Sequence, residues 1–321
     1  MALTLAEFQK LEKQELRKGI IQNLLRECPM LEILPFVTAS SMSVTATRVK
    51  ELPSVDWRKI NAGYTESTGH LEQVPETLKI LGGDVDVDLK LQGWPNMLQD
   101  PVVTQTQLKM RAIGLEFKDT FINGSKLTDE DEFNGLKYRV GKLAARQTVD
   151  LAVSTAELHV FANDAAMDTF LDGMDKAWKR CANGDVQALF MNETTYLAIA
   201  SLARRRNLLD RTKDMFGREI NTWKGAPMYD IGLQADMATE IITDTEDPGD
   251  SGADTSSIYF VHFGEDEGVV GIQDAAPDMH LVAEELEAKP ASCWRIDWAC
   301  SLYNFGLYSI VRLKGFEMAA S

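Results

Sequence analysis

Apolar positions divide the chain into stretches of different period. Leu5, Phe8, Leu16, Ile20, Leu24 and Leu25 recur at roughly helical spacing, which predicts an amphipathic helix that stops before Pro29. Thr4 and Glu7 have the spacing of a capping box at its start, each side chain satisfying an otherwise unpaired amide. The pattern fits a core helix or an arm docked on another subunit, and the core helix is preferred.

Residues 38–82 change character. Val44-Thr45-Ala46-Thr47-Arg48-Val49 alternates in the manner of a strand, and a second extended run spans Leu71–Ile80. The polar stretch between them holds Trp57, Arg58, Lys59, Gly63, Tyr64 and Gly69 and has no core-forming pattern. Legs of about 15–20 residues at ~3.3 Å each would project roughly 50–65 Å. A lone hairpin is marginally stable in water, so this one should find a partner surface or stay mobile. Gly82-Gly83 is expected to end the segment, with Asp84–Leu89 following as a strand that has one acidic face.

A long helix comes next, with Asp100 as cap, Pro101 at its first position and Asn123-Gly124 as its end. Val103, Gln107, Met110, Gly114, Phe117 and Phe121 trace the face it would lay on a sheet. Beyond Phe133-Asn134-Gly135-Leu136 the pattern is that of a small α/β region. A helix is predicted over Ala165–Arg180 and a buried strand over Val186–Met191, then a helix capped by Asn192 and running to about Arg206. Further strands are expected at Ile220–Ile231, Ile258–Phe263, Val269–Gln273, Ser292–Tyr303 and Leu307–Phe316. Residues 236–256, with seven carboxylates, Pro248, Gly249 and Gly252, read as a flexible acidic loop.

The 321 residues suggest about two structural units. No apolar run approaches the ~18 residues of a spanning helix, and Glu7 interrupts any signal-peptide core. Cys28, Cys181, Cys293 and Cys300 are too few for a disulfide scaffold, which points to reduced thiols in a soluble intracellular protein. The formal net charge is −16, and all of it comes from one segment: Gly225–Ala288 holds 16 Asp and Glu and no Lys or Arg, leaving 33 acids against 33 bases elsewhere. That balance argues against sequence-independent nucleic-acid binding, which needs basic surface. Arg204, Arg205 and Arg206 read as the solvated end of a helix.

Chemical motifs are mostly refuted by their own spacing. Asp84, Asp86 and Asp88 begin like a calcium loop, but Leu89 and Pro95 stand where glycine and the closing glutamate belong. Gly135 to Gly141-Lys142 has the wrong interval for a phosphate loop, and Leu143 stands where a magnesium-binding hydroxyl is required. The histidines at 70, 159, 262 and 280 form no helical pair of metal ligands. Glu265-Asp266-Glu267 is the one cluster a carboxylate or metal-dependent cytosolic enzyme could use; flanked by Gly264 and Gly268, it reads better as a hairpin turn. No catalytic, cofactor-binding or metal-ligating residue is therefore assigned.

The order of the pieces carries more than any motif. The local matches are Trp57-Arg58-Lys59 in the arm, Gly82-Gly83-Asp84-Val85-Asp86-Val87 entering the body, and Ile122-Asn123-Gly124 closing the long helix. Phe133-Asn134-Gly135-Leu136, Leu189-Phe190-Met191-Asn192 and Ser309–Phe316 follow in sequence. Over roughly residues 1–318 the chain resembles the major capsid proteins of tailed bacteriophages, the HK-ninety-seven-like fold shared with encapsulin shells. The resemblance implies an α+β fold with an N-terminal arm at 1–37 and an extended hairpin loop at 38–82. It implies a peripheral domain at 83–150 and 278–304 whose spine helix is about 100–123, and an axial α/β domain at 151–277 and 305–318. Trp57, Arg58, Lys59 and Tyr64 become the expected assembly contacts.

The implied function is structural: a subunit that self-assembles through hexamers and pentamers into the icosahedral head around a double-stranded DNA phage genome, without reading its sequence and without a membrane. The expected partners are other copies, a portal, a separate scaffolding protein (the chain begins almost directly at the arm) and optionally a decoration protein. Assembly would occur in the host cytoplasm and the product would reside in the virion. An encapsulin-like nanocompartment shell is the alternative on the same fold. If the acidic 236–256 loop lines the capsomer centre, five or six copies would concentrate negative charge there, which salt or divalent cations would relieve.

Overall fold

Strands that read as unbroken apolar runs must be covered on both faces, and strands that alternate need cover on one only. Both kinds occur in the computed structural model, which describes residues 3–4, 24, 28–92, 101–152, 158–206, 210–213, 217, 219–246, 254–265, 267–274, 280–285 and 289–318. Leu3–Thr4 (β1) lies antiparallel to Pro35–Ala39 (β2). The predicted N-terminal helix, its capping glutamate and the cap at Asp100 fall outside the described residues, apart from buried Leu24.

A two-stranded ribbon follows, Ser43–Glu51 (β3) against His70–Thr77 (β4), in register from Ser43↔Thr77 to Glu51↔His70. Then come Lys79–Asp88 (β5), the short helix Leu89–Gln92 (α1), the long helix Pro101–Asn123 (α2) and Leu136–Lys142 (α3). Thr148–Asp150 (β6), Leu158–His159 (β7), Asp164–Arg180 (α4), Ala188–Met191 (β8) and Glu193–Arg205 (α5) lead into Asp210–Lys213 (β9), Glu219–Trp223 (β10) and Ala226–Asp230 (β11). The chain ends with Ser256–Val261 (β12), Val269–Asp274 (β13), His280–Glu285 (β14), Ala291–Asn304 (β15) and Ile310–Glu317 (β16).

One sheet has the order β1-β2-β13-β15-β14, with β5 also paired to β15. The other has the order β6-β16-β12-β8-β11-β10-β9, with β7 on β16. The first sheet thus takes β13 from the stretch 151–277 and β15 from 278–304. Helix α2 lies between the sheets and joins their cores: Phe117 packs on Trp298 at 5.0 Å between ring centroids, and Phe121 meets Phe190 edge-on at 5.5 Å. The far face of the second sheet is covered by α4 and α5, with Phe170 edge-on to Phe316 at 5.2 Å. Strands β8 and β12 are buried at every position, as their apolar runs require.

The predicted side-chain cap at Asn192 forms, and Asn163 adds one that was not predicted. Asn163 Oδ1 accepts from Ala166 N at 2.8 Å, and Asn192 Oδ1 accepts from Thr195 N at 3.0 Å. Two expectations are corrected. Val103 and Gln107 are exposed, so the helix face begins only at Thr106 and Met110; the first turns of α2 extend beyond the sheet it covers. Nor does Gly82-Gly83 end a segment, because β5 runs straight through it. These glycines answer a need for space: a Cβ on Gly82 would lie 2.1 Å from Ile296 O, and one on Gly83 would lie 2.4 Å from Lys109 Cε. All four cysteines are free and buried, Cys28 Sγ donating to Gly114 O at 2.9 Å.

Candidate assembly surfaces

Among the described residues the ribbon β3–β4 forms a two-stranded sheet of its own. Thr38 and Ala39 belong to β2 and pair with Gln273 and Asp274, and Lys79–Gly82 pair with β15. The projecting arm is therefore Ser43–Thr77, shorter at both ends than 38–82. Its extended contour from Ser43 to the turn at Asn61 is at most ~60 Å at ~3.3 Å per residue.

Past the ladder, Ser54 N donates to Ser67 Oγ at 2.8 Å and keeps the legs together. The tip closes where Ala62 N donates to Lys59 O at 3.1 Å. Asn61 takes φ 67° there, a left-handed conformation that asparagine tolerates. Arg58 Nη1 donates to Ala62 O at 3.2 Å, and its guanidinium lies 5.2 Å over the Tyr64 ring. Of the four expected contact residues, the structure thus brings Arg58, Lys59 and Tyr64 into one turn. Trp57 is fully exposed, together with Leu52, Val55 and Ile60. Apolar side chains spaced along an unsupported tip are poor designs for an isolated molecule and good ones for a docking element.

The root is built differently. Ala39, Leu78, Val270, Ile272 and Tyr303 form a small apolar cluster against which Val44, Val74 and Phe305 pack. Leu78 N donates to Met42 O at 2.9 Å. Glu76, only 4% exposed, is held by Lys126 Nζ at 2.9 Å and Arg139 Nη1 at 3.0 Å. No pattern in the sequence announced Glu76, because its partners lie far along the chain and a single acid in a strand has no periodic signature.

The acidic features resolve into ordinary structure. Asp84 forms a two-point pair with Arg295 (2.8 and 3.0 Å), and this hydrogen-bonded guanidinium holds its carboxyl below the usual range. Asp86 lies 3.9 Å from Lys289. Asp84 and Asp86 on this strand face therefore each meet a cation, whereas Asp88 Oδ1 accepts from Lys90 N at 2.7 Å. At the other end of the charge map, Glu246 is clamped by Arg312 Nη2 at 2.6 Å and Lys137 Nζ at 2.7 Å. Burial raises its carboxyl, but those cations pull it lower still, so it sits below its ordinary range. Glu246 N also donates to Thr255 O at 2.9 Å, closing the loop whose residues 247–253 lie outside the described set. Around buried Asn192, Glu240 and Asp230 have carboxyls raised by desolvation first and by neighbouring acids next.

Between Val261 and Val269, Val269 N donates to His262 O and Gly264 N to Val269 O. Glu265 and Glu267 thus lie in a turn, with Asp266 outside the described residues, but the strands on either side belong to different sheets, so the turn does not close the expected hairpin. A 310 Å³ cleft between α4 and α5 is lined by Asp164, Met167, Asp168, Leu202, Arg205 and Arg206. Two of its charges pair, Arg206 Nη2 with Asp168 Oδ1 at 2.9 Å. Among the described residues no three His, Cys, Asp or Glu are grouped to hold a metal, and no helix is long and apolar enough to cross a membrane.

The family model "Major capsid protein GP7" matches residues 12–160, the stretch that contains the arm and α2. Solved structures match over nearly the whole chain. An encapsulin complex from Synechococcus elongatus is 14% identical with a TM-score of 0.66, covering 100% of this chain and 98% of that one. The chain has the HK-ninety-seven-like fold. The capsid of an empty GTA particle is 17% identical (TM-score 0.59; 91% and 90% covered), and a Mycobacterium phage Bobi structure is 10% identical (TM-score 0.56; 91% and 89% covered). No curated protein sequence matches this chain. At these identities the structural likeness speaks to the fold, and the family match spans the arm and α2.

Proposed function

We propose that this chain is the major head subunit of a tailed bacteriophage, forming hexamers and pentamers in the host cytoplasm and enclosing double-stranded DNA without reading its sequence. The first sheet with α2 would serve as the peripheral domain and the second sheet with α4 and α5 as the axial domain. The carrying observation is the arm Ser43–Thr77, whose tip exposes Val55, Trp57 and Ile60 with nothing among the described residues of its own chain to pack against. Burial of such a tip on a neighbour supplies a heterologous contact, which closes into rings and then shells. Trp57, Arg58, Lys59 and Tyr64 are the contact residues of this reading. A separate scaffolding protein, a portal and optionally a decoration protein are its further partners, and its role is structural rather than catalytic.

The full-length likeness to an encapsulin supports a second reading, a cellular nanocompartment shell. Particles purified from the native source separate the two: packaged DNA supports the phage head, and a protein cargo supports the compartment. Concentrated purified protein, with or without a scaffold, should form closed shells in electron micrographs. Protein that stays monomeric under all these conditions would sink both readings.

A further inference from the structure

We infer that Glu76 is a positioning residue that fixes the direction in which the arm leaves the body. Besides the strand pairing of Thr38–Ala39 and Lys79–Gly82 that anchors the chain on either side, two kinds of side-chain contact hold the arm root, and they constrain it differently. The Ala39–Leu78–Val270–Ile272–Tyr303 cluster is apolar, and apolar burial is non-directional, so it resists detachment more than rotation. The Glu76 carboxylate instead answers two cations at fixed distances, Lys126 Nζ at 2.9 Å and Arg139 Nη1 at 3.0 Å.

Both cations are themselves set by the body. Arg139 Nε donates to Asn134 O at 2.8 Å and its Nη2 to Leu302 O, so its guanidinium cannot follow a swinging arm. The loop carrying Lys126 is tied down where Lys126 N donates to Asn134 Oδ1 at 3.1 Å and Gly135 N to Gly124 O at 2.8 Å. Lys79 Nζ, just past the root, donates to Glu130 O in the same loop. A carboxylate that is 4% exposed cannot exchange these partners for water without cost, so rotation that breaks either bond is opposed.

Leverage makes the angle consequential. From Glu76 to Asn61 the chain can extend about 50 Å at ~3.3 Å per residue. A root rotation of about 10° would then move the tip by roughly 9 Å, about the spacing of two strands. An apolar cluster alone would leave the tip to search that volume, whereas the ion triad delivers it pointed.

The positioning is intramolecular and is measured apart from shell formation; only its consequence for assembly rests on the docking reading. Spin labels at Gly63→Cys in the tip and Gly141→Cys in α3 have open space around them, while the native cysteines are buried. Pulsed electron–electron resonance on unassembled subunits diluted with unlabelled protein gives the tip-to-body distance distribution. The parent should show one narrow distribution. Glu76→Gln should at least double its width with near-ultraviolet circular dichroism unchanged. Lys126→Met, which leaves the Arg139 pair, should broaden it less, and Lys126→Arg should restore the parental width. A folded Glu76→Gln with the parental width would overturn the proposal. If that variant does not fold, a folded Lys126→Met of parental width would overturn it equally. Failure of both to fold would also overturn it, because the triad would then be a requirement of the fold and not of arm direction. If widths change as expected while no variant or parent forms shells, the docking reading fails and the positioning role stands.

Discussion

Replacing Trp57 by alanine should separate folding from assembly. The indole is fully exposed in the subunit, so its removal should change subunit stability by no more than about 0.5 kcal/mol, the usual range for surface sites. In a docked arm the same side chain would bury ~150–250 Å². At ~25 cal/mol/Å² that is about 4–6 kcal/mol for complete burial, and roughly 2–3 kcal/mol remains after part of the area is retained by alanine and ordering costs are subtracted. Each subunit donates one arm, so the critical concentration for shell formation should rise by the factor for one contact, about 30–150-fold. Light scattering and sedimentation over a concentration series would give that threshold, and urea denaturation of unassembled protein would give the stability. Assembly of Trp57→Ala at the parental threshold would refute the reasoning. So would a loss of subunit stability above about 1 kcal/mol, because Trp57 would then pack on its own chain.

Glu246→Ala should cost about 3 kcal/mol by leaving Arg312 buried without its carboxylate, and a cycle with Arg312→Met should show coupling of about 2 kcal/mol; additive single losses would contradict the clamp. Because the folded carboxyl of Glu246 lies below its unfolded value, its stabilisation is complete above the unfolded pKa of ~4.3 and is lost as pH falls through the lower folded one. Glu246→Gln should accordingly flatten that part of the acid-denaturation profile. Glu240 behaves with the opposite sign: its raised carboxyl is a penalty above the folded pKa that disappears as pH falls below it. Glu240→Gln should therefore stabilise the subunit at neutral pH by about 0.5 kcal/mol or less after screening, with less gain in high salt. Gly271→Ala would place a Cβ 2.5 Å from the Phe36 ring and should cost about 1–3 kcal/mol by overpacking, measured as a lower urea midpoint.

The parts of this fold that were legible in sequence are those specified locally. Asn192 lies just before a helical pattern and caps it, and Pro101 and Gly124 bracket α2 because a missing amide and a missing Cβ are local properties. The unbroken apolar run at Ala188–Met191 announced a strand covered on both sides. What could not be read is set by pairing at long range. Phe36 stands opposite Gly271 across a parallel pair, and nothing near either residue encodes the other. That pairing is why Thr38 and Ala39 leave the arm and join the body. The Gly82-Gly83 pair was read as punctuation, yet it serves close approach to β15 and Lys109, and a glycine's letter does not distinguish the two uses. Trp57, Arg58, Lys59 and Tyr64 were picked out as polar and aromatic residues in a stretch without core periodicity. The ion triad at Glu76 and the clamp at Glu246 left no such trace, since charge pairs between distant elements have no period.

The central claim is that the arm satisfies its tip on another copy of the chain. A photo-crosslinking residue at exposed Ile60, in shells built from an equal mixture of isotopically light and heavy subunits, tests it directly by mass spectrometry. Docking between copies should yield crosslinked peptides that join light to heavy chains, with the tip attached to the body of a different subunit. Crosslinks confined to light–light and heavy–heavy pairs would show the arm folded on its own molecule and would contradict it.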